Sequence, residues 1–209
     1  MTPGDAGRLA DQLGFVLEVD RLKSVIRRGY VADGSRRENT AEHSWTLALM
    51  AMLLAEHAAE PVDVATVVRM VVIHDIVEVD AGDTYIYDAA GRADKAAREA
   101  AAADRLYGLL PAGQGAELRA LWDEFEQGTS PEARFARSVD RFAGFLLNHA
   151  SAGVSWREHG VTADRVRAVN RSIDAGAPPL WTEVQRRLAD ALDRRWLEAG
   201  PDDPDEPAP

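Results

Sequence analysis

The sequence predicts an all-α fold. Apolar residues recur mostly at helical spacing, and strand-like alternation is rare. Helix-starting residues and Gly or Pro stops punctuate the chain at intervals suited to helices. The length of 209 residues suits one domain with a sizeable core. No interior linker divides the chain, so a single helical domain is expected over 1–199. Residues 200–209 form a proline-rich acidic tail (Asp202, Asp203, Asp205, Glu206) too polar to pack, and it is expected to be disordered.

The elements follow in order. A first helix is expected over about Asp5 to Arg27. The segment Arg28 to Asn39, with Gly29, Gly34 and Ser35, reads as a loop. Thr40 is the expected N-cap of the next helix, which carries His43 on the face of Leu47, Met50 and Leu54. Pro61 and Asp63 open a third helix, expected to run through His74 and end near Asp80, before Ala81-Gly82-Asp83. A loop over Gly82 to Gly91 holds Tyr85 and Tyr87. The alanine-rich run Arg92 to Leu110 favours helix. Pro111 to Gly115 reads as a turn. Further helices are expected at about Ala116 to Gln127, Pro131 to Ala150, Thr162 to Asp174 and Leu180 to Glu198.

Composition removes several function classes. A net charge of −11 argues against a binder of nucleic-acid polymers, while leaving room for a small phosphorylated substrate held by a local cationic cluster. The absence of cysteine excludes disulfides, thiolate ligands and cysteine catalysis, and fits a cytoplasmic protein. Met1 to Ala10 contains no long apolar run, so no signal peptide is expected, and no stretch is long and apolar enough to span a bilayer.

Four residues stand out as a candidate metal site: His43, the adjacent His74-Asp75, and Asp140. Two imidazoles and two carboxylates can ligate a catalytic divalent ion. Taken alone, His43 also reads as a satisfied core histidine, and Asp140 as a solvated helix residue. The run Val71-Val72-Ile73-His74-Asp75-Ile76-Val77 is harder to explain without an ion, because an aspartate amid apolar residues is costly to bury unpaired. Small residues near Asp140 (Ala136, Ala143, Gly144) leave room for an ion or ligand. The donor set suits Mn²⁺, Fe²⁺, Co²⁺, Ni²⁺ or Zn²⁺ better than Mg²⁺ or Ca²⁺. No histidine lies between His74 and Asp140, which favours one metal over two. Glu78, four residues after His74, is placed to act on a water or leaving group, and reads equally as a surface acid near a helix end. A basic island, Arg21 to Arg37, is the candidate phosphate-binding region, although any one of its arginines also reads as a solvated helix end.

The order His … His-Asp … Asp in an all-helical chain resembles the HD-domain phosphohydrolases, and within them the 5′-deoxynucleotidases. The resemblance runs from about Leu9 to Leu147. It rests on Glu42-His43-Ser44, His74-Asp75-x-x-Glu78, Gly82-Asp83 and Val139-Asp140-Arg141. It implies an HD-domain bundle with one divalent metal held by His43, His74, Asp75 and Asp140. It further implies Glu78 and Asp83 as catalytic residues, and Arg27 or Arg28 with Tyr30 on the substrate. Glu42 would support the first histidine. The implied reaction removes phosphate from (deoxy)nucleoside 5′-monophosphates, and the family commonly forms dimers. The loop Thr84-Tyr85-Ile86-Tyr87-Asp88 departs from the proline-bearing family pattern, and residues after Asn148 do not map onto it. Tyr85, Tyr87, Asn148 and Trp156 are therefore candidates for a different pocket. Two other readings remain: a di-iron HD oxygenase, which needs further ligands, and a non-catalytic HD module that binds a metal or ligand.

Overall fold

Helices dominate the computed structural model, which describes residues 3–88, 90, 91 and 93–200; the tail expected to be disordered lies, from 201 on, outside the described residues. The first half comprises α1 (Pro3–Val19), a hairpin of β1 (Ile26–Tyr30) and β2 (Arg37–Asn39), α2 (Thr40–Leu54), α3 (Val64–Ile73) and α4 (Glu78–Ala81). The second comprises α5 (Lys95–Tyr107), α6 (Ala112–Gln127), α7 (Pro131–Ala150), α8 (Val154–Glu158), α9 (Ala163–Asn170), α10 (Ile173–Gly176) and α11 (Pro178–Asp193).

α7 is the hub. Ser130 caps it by accepting from the Ala133 amide, Pro131 supplies a preset first turn, and Phe135, Val139, Phe142 and Phe145 bury its apolar face. It packs on α2, α3, α6, α10 and α11. The approach of α10 is close enough to require glycine: a Cβ on Gly176 would collide with the Arg134 carbonyl and the Ser138 hydroxyl.

The first helix stops at Val19 rather than reaching Arg27. A 3-10 turn (Asp20–Ser24) follows, then β1, antiparallel to β2 with Ile26 opposite Asn39 and Tyr30 opposite Arg37. The expected loop is thus partly a hairpin, closed by Val31 N donating to Arg36 O. The N-cap of α2 is Asn39, one residue earlier than expected. Its side chain accepts from the Glu42 amide, and Glu42 returns a carboxylate to the Asn39 amide. The expected start at Arg92 lies outside the described residues, and α5 begins at Lys95. α6 absorbs the expected turn at Pro111 to Gly115. α8, anchored by fully buried Trp156, had no counterpart in the sequence reading. The expected helix at Thr162 to Asp174 divides into α9 and α10, and α11 ends at Asp193, short of Glu198. No helix among the described residues is long and apolar enough to cross a membrane.

Candidate metal centre

The pivotal local event is the break at the end of α3. The predicted helix through Asp80 tightens into a 3-10 turn over His74–Val77, then resumes as α4 until Gly82, whose φ of 72° stops it. Side chains take over the carbonyls at the break. Tyr107 of α5 donates to Ile73 O at 3.0 Å, and the Trp122 indole of α6 donates to His74 O at 3.1 Å. Buried carbonyls at an interrupted ladder need such donors. The His-Asp pair therefore sits on a turn braced from two other helices.

His43 is fully buried on α2, and its Nε2 lies 3.0 Å from Asp140 Oδ1 of α7. His74 Nδ1 lies 2.9 Å from Val71 O, which makes Nδ1 the protonated nitrogen and leaves Nε2 as a lone-pair donor. That Nε2 is buried without a hydrogen-bond partner, although Asp75 Oδ1 is 3.1 Å away and Asp140 Oδ1 4.0 Å away. The short contact to Asp75 lacks hydrogen-bond alignment. His43, His74 and Asp75 each present a ligand atom within 4.8 Å of the others, and Asp140 adds an oxygen against both imidazoles. An orphaned imidazole nitrogen among carboxylates is the environment a divalent cation satisfies. The residues present fit such an ion.

Arg27 faces the same acids. Its Nη1 lies 2.9 Å from Asp75 Oδ2, 3.8 Å from Asp83 and 4.0 Å from Glu78, and its Nε is 3.5 Å from Glu38 Oε2. Glu38, not Glu42, stands behind the first histidine: its Oε2 lies 3.2 Å from His43 Nδ1, though not aligned as a hydrogen bond. Glu42 is occupied by the α2 cap and by Arg36. Glu78 is buried, with Oε2 accepting from Thr40 Oγ1 at 2.7 Å. Asp83 Oδ2 accepts from the Arg28 amide at 3.3 Å.

These surroundings shift the ionisable groups. Burial, aided by the Asp75 charge, pushes the Glu78 carboxyl up to about 8. Burial also raises Asp83. Burial and the Arg27 charge press His43 toward its neutral form, but Asp140 and Glu38 outweigh them and hold its imidazolium up to about 9. Burial opposes the Asp75 and Asp140 carboxylates, yet the adjoining imidazoles and Arg27 or Arg141 hold both well below the usual carboxylate range.

The centre opens into a cavity of about 360 Å³, within the range of small-molecule sites. Asp75, Glu78, Asp83, Asp140, Arg27 and Arg28 line it, so all but one of the residues assigned to catalysis and substrate border one space, as do two of the four ligands. Tyr30 does not line it. Its hydroxyl donates to Glu158 at 2.6 Å and its ring carries Arg37, so its position does not match the substrate role implied by the resemblance. The strand is irregular between Ile26 and Tyr30, and within it Arg27, Arg28 and Gly29 border the cavity while Tyr30 is turned to Glu158. Tyr85, Tyr87 and Asn148 line this same cavity rather than a separate one, the two tyrosine rings 5.2 Å apart edge to face. Trp156 lies fully buried against Phe145 and is not among the lining residues. A Cβ on Gly144, one turn beyond Asp140, would meet nothing within 4 Å, so the predicted room beside Asp140 is open. Sequence reasoning missed Glu38, Tyr107 and Trp122. Only Glu38 had a readable signal, since Asn39-x-x-Glu42 is a capping pattern that removes Glu42 as the histidine's partner.

A model of the HD domain family matches residues 19–181, extending past the limit of the sequence resemblance at Leu147. Among curated proteins, 5′-deoxynucleotidase HDDC2 of Danio rerio is 29% identical over 140 residues, covering 66% of this chain and 68% of that protein. Its Homo sapiens counterpart is 32% identical over 130 residues, so the chain spans only 62% of the human protein's length. A crystal structure from Magnetospirillum magnetotacticum MS-1, described as a predicted metal-dependent phosphohydrolase, is 47% identical. It superposes with a TM-score of 0.89, covering 95% of this chain and 100% of that one. The PH0347 protein of Pyrococcus horikoshii OT3, 22% identical with a TM-score of 0.56, shares the fold.

Proposed function

The chain belongs to the HD domain family, and from that premise we propose that it is a metal-dependent phosphohydrolase that releases phosphate from (deoxy)nucleoside 5′-monophosphates. The observation that carries this reading is the unpartnered His74 Nε2 beside His43, Asp75 and Asp140, at the end of a cavity of small-molecule size. The names of the HDDC2 proteins and of the Magnetospirillum structure support the substrate class and the chemistry.

In this reading His43, His74, Asp75 and Asp140 hold one divalent transition ion (Mn, Co, Ni, Fe or Zn). Such an ion, when bound, polarises a phosphoryl oxygen and lowers the pKa of water toward neutrality. The protein's own part is proton handling and orientation. Glu78, buried and held by Thr40, takes the proton of the attacking water or delivers one to the leaving alkoxide. Asp83, fixed by the Arg28 amide, orients that water or the sugar. Arg27 fixes the angle of Asp75 through its 2.9 Å contact. Arg28 reaches the cavity from its exposed side and contacts the substrate.

The wider reading is one HD domain over 1–199, in the cytoplasm, as a homodimer. Apolar residues left exposed on α2 (Trp45, Met52, Leu53) and α1 (Leu13, Val16, Leu17) offer a face for a second copy. Sedimentation of wild type and Trp45→Glu checks this: a wild-type dimer that the charge dissociates supports it, and a monomeric wild type contradicts it. The function itself is tested by removing metal with a chelator, restoring Mn²⁺, Co²⁺ or Ni²⁺, and measuring phosphate release from a nucleotide panel. Release that depends on added metal is expected. Metal-independent release, or none from any phosphomonoester, overturns the proposal.

A further inference from the structure

The charge around the metal centre poses a problem for a phosphate. Five carboxylates line that end of the cavity (Glu38, Asp75, Glu78, Asp83 and Asp140). Arg27 lies within 4.0 Å of four of them, which commits its guanidinium to acids already present. A divalent ion offsets two further charges. A phosphomonoester dianion arriving there still needs a cation with an N–H donor to spare.

Of the other cations lining the cavity, Arg28 is exposed, Arg137 donates to the Phe125 and Glu126 carbonyls at the end of α6, and Arg141 carries its charge beside Asp140. Lys95 differs. It is the first residue of α5, which packs directly on the 3-10 turn bearing His74 and Asp75. Its Nζ lies 2.7 and 2.8 Å from the two oxygens of Glu99, one helical turn on. An ammonium has three N–H donors, so at least one remains for a ligand. Glu99 is only 5% exposed, and it too lines the cavity. An ordinary i,i+4 pair on a helix surface is worth about 0.3–0.5 kcal/mol, which does not justify burying a carboxylate. A buried acid that holds a lysine at a fixed angle over a ligand cavity does have a use.

We infer that Lys95 binds the substrate's phosphate, and that Glu99 is the positioning residue that aims it. The inference rests on the phosphohydrolase reading above and adds an anion-binding residue from α5, which packs on the turn that bears Asp75. The product, inorganic phosphate, is the probe. Metal-loaded wild type, Lys95→Met, Lys95→Arg and Glu99→Gln are titrated with phosphate by calorimetry, and KM and kcat are measured on a nucleoside 5′-monophosphate. Lys95→Met weakens phosphate binding and raises KM at least tenfold while metal content stays at the wild-type value. Lys95→Arg recovers most of the loss, and Glu99→Gln loses several-fold. The double variant Lys95→Met/Glu99→Leu removes the unpaired buried acid and keeps the test valid if the single variant folds poorly. Phosphate affinity within twofold of wild type in both the single and double variants overturns the inference, as does a wild type that binds no phosphate. If wild type binds phosphate in a Lys95-dependent way but hydrolyses no phosphomonoester, the anion site stands and the hydrolase reading falls.

Discussion

The two walls of the cavity are built on different principles. On the metal wall every functional group is held by at least one neighbour from another element: His43 by Asp140, Asp75 by Arg27, Glu78 by Thr40. On the rest of the lining, the Gly82–Gly91 loop, the start of α5 and the C-terminal part of α7 contribute Tyr85, Tyr87, Asn148 and the Lys95–Glu99 pair. The first wall fixes a reaction centre. The second shapes what reaches it. Damage to the first should abolish chemistry, and damage to the second should alter affinity and selectivity.

The largest expected effect follows from Asp75→Ala. It removes a ligand and strands Arg27 among the remaining acids, so phosphate release falls to background and bound metal is lost. Retained activity would show that the metal wall is not the reaction centre. Next is Glu78→Gln, which keeps the shape and the Thr40 contact but not the proton. We expect kcat to fall about 10²- to 10⁴-fold with metal content unchanged. A change confined to KM would move Glu78 from catalysis to binding.

The third effect concerns stability. In the metal-free protein, Glu78 is raised from 4.5 to about 8 and His43 from 6.5 to about 9. Both groups hold a proton in the fold that the unfolded chain releases, so stability falls as pH rises through these windows. His43 contributes fully below 6.5 and is lost through 9, while Glu78 loses its contribution between 4.5 and 8. A loss of up to about 5 kcal/mol is expected between pH 6.5 and 9.5, read as a lower Tm of chelator-treated protein. Metal binding requires neutral imidazole, so added metal should reverse the trend. A Tm that rises with pH without metal would contradict these protonation states. The smallest effect is Tyr30→Phe. It removes only the Glu158 contact outside the cavity, so kcat/KM should stay within about twofold and stability should change by about 0.5–1.5 kcal/mol. A large rise in KM would restore Tyr30 to the substrate site.

The same contrast separates what was legible in the sequence from what was not. The metal wall could be read because a histidine and an aspartate inside an apolar run have few structural explanations, and because helical periodicity placed His43 on a core face; Asp140, a solvated residue when read alone, entered through its small neighbours and the family resemblance. The break at His74 could not be read: it depends on Tyr107 and Trp122 arriving from distant helices to take two carbonyls. The hairpin was hidden because Ile26–Tyr30 is too short to establish alternation, and its charged residues mimic a helix end. The rest of the lining was least legible. Lys95 and Glu99 look like any helix-surface pair until packing buries the acid.

The proposed chemistry depends on one ion held among His43, His74, Asp75 and Asp140. Metal analysis of the purified protein, reloaded and dialysed, tests this directly: one equivalent of transition metal per chain in wild type, and none in His74→Ala of unchanged fold, is the predicted result. Two equivalents in wild type, or one retained in His74→Ala, would contradict it.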